Sequence, residues 1–121
     1  MPIEELVTRP TGRETEEHEW GEITWLDSAD LTGSDGLTVG HVRIYGGCAN
    51  PEHRHPNCEE ALYLLSGTLE HSVGAETTTL DAGDCLHIPR GERHAALNPG
   101  DDDAVAVIAY DAGEREFELV E

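Results

Sequence analysis

The chain contains no lysine: its seven basic residues are all arginine, set against 26 acidic ones for a formal net charge of -19. With so few cationic side chains, nucleic acid and anionic membrane surfaces are excluded as partners, since both are gripped by patches of Lys and Arg. No stretch approaches the roughly 18 consecutive apolar residues of a membrane-spanning helix. The opening MPIEELVTRPTGRETEEHEW has no basic start followed by an apolar core, so a secretory signal is excluded there and a cytoplasmic location is expected. Cysteine is scarce: Cys48, Cys58 and Cys85 are odd in number and lack paired spacing, which fits reduced thiols and not a disulfide framework. Internal repeats, low-complexity linkers and any long helical period are missing too.

What is present describes one folded domain. A length of 121 residues suffices for a single core and not for two. Carboxylate excess alone could mean disorder, but the alternating apolar segments and two tryptophans supply a core. The composition resembles that of proteins from extreme halophiles, where a Debye length of about 3 Å near 1 M salt makes such self-repulsion tolerable. Read for period, residues 22–27, 37–45, 61–66, 68–73, 85–89 and 104–110 are short strands rich in β-branched and aromatic residues, separated by turns such as GSDG, AGD, PRG and NPGDDD. Short, closely spaced strands predict an all-β sandwich or barrel. Residues 1–20 are expected to be a partly flexible extension, and 21–121 the barrel domain. GDDD reads as a solvated turn, since a calcium loop needs spaced ligands.

One segment carries chemistry. In HRHPNCEEALYLLSG, His53 and His55 lie two apart, so on a strand they share a face and project their imidazoles together. A Pro-Asn turn at 56 and 57 then reverses the chain, and an antiparallel strand starting near Glu60 is expected to bring one carboxylate back beside the pair. A second segment, GDCLHIPRGERHAALN, supplies His94 after a Pro-x-Gly turn. Three neutral imidazoles and one carboxylate, each about 2 Å from a shared ion, suit a divalent transition metal.

The two segments together resemble the paired signature motifs of the cupin superfamily. The first runs Gly47, His53, His55, Glu60, Gly67 and the second Gly83, Pro89, Gly91, His94, Asn98, with every fixed position filled. Each would be met by chance about once in twenty. The resemblance covers roughly residues 36 to 110. It implies a single-domain jelly-roll β-barrel with a metal in its mouth, bound by His53, His55, Glu60 and His94, and a habit of pairing as homodimers. Gly67 and Gly91 would permit turns, and Asn98 would close the second motif. Glu59 competes for the carboxylate role; strand parity and the six-residue spacing to Gly67 select Glu60.

The other polar residues are placed by strand parity. His71, in phase with Leu69 and Val73, is assigned to the cavity as a candidate for moving protons. Parity leaves His41 open, and it pairs Cys85 with His87 on one face and Leu86 with Ile88 on the other without saying which faces in. Cys58 is a loop residue and not a thiolate ligand, because the motif already supplies four. Arg54 and Arg93 point away from the metal, and Arg43 is a possible anion clamp if its face lines the cavity.

A four-ligand octahedral ion keeps two adjacent positions for water, dioxygen or a chelating substrate. With one carboxylate it retains about one net positive charge, favouring enolates, carboxylates or 2-keto acids. The expected function is a metal-dependent enzyme on a small, anionic or chelating metabolite, dioxygenase-like first, with an isomerase, lyase or decarboxylase next. The competing expectation is a non-catalytic metal, sugar or metabolite binder. One divalent ion per chain is expected, from among Fe, Mn, Zn, Ni and Co.

Overall fold

The computed structural model describes residues 2–121 and forms two antiparallel sheets. In chain order, a 3-10 turn at Ile3–Leu6 precedes β1 (Thr15–His18), β2 (Gly21–Asp27), a single helical turn α1 (Ala29–Thr32), β3 (Thr38–Ile44), β4 (His53–Arg54) and β5 (Glu60–Ser66). There follow β6 (Thr68–Val73), β7 (Glu76–Asp81), β8 (Cys85–Ile88), β9 (His94–Leu97), β10 (Ala104–Tyr110) and β11 (Glu118–Leu119). One sheet has the order β1-β2-β3-β10-β5-β8, the other β11-β4-β9-β6-β7. From β3 onward nearly every connection carries the chain from one sheet to the other. This is the jelly-roll barrel expected from the sequence.

The period-2 segments form the long strands. Along β3 and β10 every second residue is buried, from Thr38 to Ile44 and from Ala104 to Tyr110. Inward side chains of both sheets merge in one core, Ile23, Val42, Leu62, Leu64 and Ile108 meeting Leu69, Leu80 and Ala96. Leu64 is fully buried, so its truncation to Ala would cost about 2–5 kcal/mol. The turn from β5 to β6 depends on Gly67, whose φ of 87° and approach to Ala104 Cα, 2.9 Å from where a Cβ would sit, leave no room for a side chain. Asn98 is buried and donates to the carbonyls of Ile44 (2.9 Å) and Asp102 (2.8 Å) while accepting from the Gly100 amide. It thereby ties β3 to the turn before β10.

One expectation needs correction. Glu60 does not return on a strand beside His53 and His55: β4 belongs to the five-stranded sheet and β5 to the six-stranded one. The turn at 56 and 57 crosses the barrel instead of closing a hairpin. The carboxylate therefore faces the imidazoles across the barrel interior.

Candidate metal centre

The five-stranded sheet presents the histidines. His53 on β4 is the cross-strand partner of His94 on β9, and His55 follows at the end of β4. One ring nitrogen from each lies within 4.8 Å of the other two. From the facing sheet, Glu60 Oε1 reaches 3.4 Å from His55 Nε2 and 3.2 Å from His94 Nε2. All four residues are buried.

The remaining ring nitrogens decide what this cluster can hold. His53 Nδ1 lies 2.7 Å from the Pro51 carbonyl, His55 Nδ1 2.8 Å from that of Glu116, and His94 Nδ1 2.9 Å from that of Glu92. A carbonyl oxygen only accepts, so each Nδ1 carries the proton. In a neutral ring the Nε2 lone pair is then left facing the centre. His55 Nε2, His94 Nε2 and Glu60 Oε1 are buried without a hydrogen-bond partner. Acceptors converging in a buried space repel one another unless a cation lies among them. The donor set of three imidazoles and one carboxylate therefore fits a divalent transition metal.

Electrostatics agree in sign. Burial first, and then the neighbouring His94, push His53 down to about 4, so its ring is neutral near pH 7. Burial raises Glu60, but the facing nitrogens of His55 and His94 outweigh it and hold the carboxyl at about 2. Tyr110, paired with Glu60 across β5 and β10, is raised well above the usual phenol range by burial and by the Glu60 charge. It remains a neutral phenol near the carboxylate.

Glu59 points outward and pairs with His87 at 3.0 Å, so the two glutamates separate as parity requires. His71 is buried on β6, lines the cavity and lies 6.0 Å from His94 between ring centroids. Leu86 and Ile88 turn in while Cys85 and His87 turn out, and His41 lies on the outer face of β3. Arg43 shares that outer face, paired with Glu22 and Asp103, so it is not a cavity clamp. Arg54 and Arg93 pair with Glu118 and Glu52 away from the cluster. Cys58 is buried, and burial foremost raises its thiol to about 11, which keeps it protonated.

Sequence reasoning missed the wall formed after β10. The segment 114–119 crosses the barrel mouth, pairs as β11 with β4, and supplies the Glu116 carbonyl to His55. Phe117 stacks on His53, with ring centroids 4.9 Å apart and planes 22° from parallel. Arg115 lies over the rings of Trp25, Tyr110 and Phe117. The available signal was the alternation in EREFEL: Arg115, Phe117 and Leu119 line the cavity, whereas glutamates occupy positions 114, 116 and 118 between them.

With this fold and this donor cluster in place, the family assignment follows: the chain belongs to the cupins, and the Cupin domain family matches residues 40–110. Among characterised relatives, Germin-like protein 5-1 of Oryza sativa subsp. japonica is 34% identical over 84 residues, covering 64% of this chain and 37% of that protein. The tetracenomycin polyketide synthase protein TcmJ of Streptomyces glaucescens is 36% identical over 62 residues, covering 51% of this chain and 42% of its own. The chain thus spans about two fifths of these relatives. Among solved structures, oxalate decarboxylase from Bacillus subtilis superposes with a TM-score of 0.81 at 26% identity, over 88% of this chain and 29% of that one. Oxalate oxidase superposes with a TM-score of 0.82 at 23% identity, over 96% and 64%, a likeness of fold. No helix among the described residues is long and apolar enough to cross a membrane.

Proposed function

We propose that this chain is a metal-dependent cupin enzyme in which His53, His55, Glu60 and His94 hold one divalent transition metal, acting on a small anionic or chelating metabolite. The observation that carries this reading is the convergence of protonless Nε2 atoms and the Glu60 carboxylate, each imidazole locked in tautomer by a backbone carbonyl. When bound, the ion supplies Lewis-acid polarisation of a substrate carboxylate or carbonyl and, if iron or manganese, electron exchange with dioxygen. The chain's own residues do the rest. His71 and Tyr110 line the same cavity and offer proton-carrying groups beside the donor cluster, among largely apolar walls. We favour dioxygenase-like chemistry. Decarboxylation of a small carboxylic acid is the second reading, supported by the likeness to oxalate decarboxylase.

Three unpaired cysteines and the composition support a reducing, salt-rich cytoplasm as the setting. The test of function is metal content and oxygen uptake on the purified protein. About one transition metal per chain is expected. Substrate-dependent oxygen use would favour oxygenation, and turnover without it the second reading. A folded protein that refuses iron, manganese, zinc, nickel and cobalt would overturn both.

A further inference from the structure

The cavity leading to the histidine cluster has a volume of about 490 Å³, ample for a metabolite well beyond two carbons. Its walls are largely apolar, and among the described residues that line it Arg115 carries the only guanidinium. Arg54 and Arg93, beside the histidines, point outward and are paired with Glu118 and Glu52. Arg115 makes no ion pair or side-chain hydrogen bond among the described residues. Three aromatic rings hold it instead: its Cζ is 4.7 Å from the Trp25 centroid, 5.3 Å from Tyr110 and 5.5 Å from Phe117. Contact with the rings satisfies the charge by cation–π attraction but supplies no hydrogen-bond acceptor, so the N–H donors are left for a carboxylate.

An internal competitor lining the same cavity is Glu16, whose charge is close enough to feel Arg115. Its carboxylate is already engaged, accepting from Trp25 Nε1 at 2.8 Å and facing His18 Nε2 at 3.0 Å. Arg115 also sits at a defined remove from the donor cluster. Tyr110 and Phe117, which flank the guanidinium, touch His55 and His53 with ring centroids 5.0 and 4.9 Å apart. One ring's breadth therefore separates the cation from the cluster along a single cavity.

We propose that Arg115 selects the substrate, receiving a second carboxylate at the end of the molecule distal to the histidine cluster, so that the preferred ligand is a short acid with a chelating head and an anionic tail. This rests on the reading of the cluster as a metal site, and deepens it. Gly40 contributes indirectly: a Cβ there would come within 2.9 Å of the Trp25 ring, so its absence lets the indole lie beneath the guanidinium.

The test uses 2-oxoglutarate and 2-oxohexanoate, which share the chelating head and similar length and differ in the distal charge. Calorimetric affinities are compared in metal-loaded wild type and Arg115→Gln, with metal content measured on each. The variant is expected to keep its metal and to lose about 10- to 100-fold in affinity for 2-oxoglutarate, the range of a charge-assisted pair, while binding 2-oxohexanoate within about twofold of wild type. If the Gln variant fails to fold, Arg115→Met, which keeps the packed stem, must show the same split. Equal losses for both acids, no loss for either, or metal lost by the variant but held by wild type would overturn the proposal. The same comparison on metal-free protein keeps the two readings apart, because a preference for the dicarboxylate that depends on Arg115 should persist there at weaker affinity. Its absence in both forms counts against Arg115, whereas failure to load metal counts against the cluster alone.

Discussion

At the scale of single residues, the two adjacent glutamates give the sharpest contrast. Glu60 faces His55 and His94 from the opposite sheet and brings the cluster's only negative charge, while Glu59 is exposed against His87. Glu60→Gln should therefore keep the fold yet lower metal affinity by a factor on the order of 10 to 100 or more, while Glu59→Gln changes little. Metal analysis of the two variants side by side decides this; if the first retains metal and the second loses it, the carboxylate is misassigned. His94→Ala should weaken binding as well, because no second histidine on β9 backs it up. These residues were legible in the sequence because their spacing is local: two along a strand for the histidines, fixed offsets for Glu60, Gly67 and Asn98. Arg115 and Phe117 were not, because the alternation in EREFEL marks a two-faced segment but does not say where that segment crosses the mouth.

At the scale of elements, the long strands could be read from alternation, but β7 could not. Its sequence ETTTLD is exposed at the sheet edge and buries only Leu80, so it carries no apolar period. β4 and β11 are two residues each, too short for any periodic signal, yet their pairing shapes the site. The segment that ends in β11 is fastened by Asn57, whose Nδ2 donates to the Glu114 carbonyl at 2.9 Å and whose Oδ1 accepts from the Glu116 amide at 2.8 Å. Asn57→Ala removes both bonds without touching a proposed ligand. Global stability should fall by about 1–3 kcal/mol. Metal affinity should fall about tenfold as the Glu116 carbonyl loosens from His55. Chelator competition and a melting curve measure the two effects, and an unchanged affinity beside a lowered melting temperature would show that the segment does not position His55.

At the scale of the whole molecule, charge and surface set the conditions under which the barrel persists. Twenty-six carboxylates against seven arginines repel over a longer range as salt is removed, so the melting temperature should rise between 0.1 M and 3 M salt. A melting temperature indifferent to salt would remove the halophilic reading. The outer face of the six-stranded sheet carries Tyr63 and Leu65, 45% and 46% exposed, beside Val107 and Ala109 on the adjoining β10. A homodimer covering this face is the expected state, with Tyr63→Asp shifting the light-scattering mass toward one chain. The bond from His55 to the Glu116 carbonyl, meanwhile, joins residues 61 positions apart. Closing so long a loop is entropically costly, so we predict that the donor cluster is completed late in folding, together with the β3–β10 pairing, whose partners Thr38 and Tyr110 lie still farther apart in sequence. An ion that recognises only the completed cluster has nothing to grip at the rate-limiting step. Metal should therefore leave the refolding rate unchanged and act almost entirely by slowing unfolding, as a latch on a finished barrel and not as a seed for one.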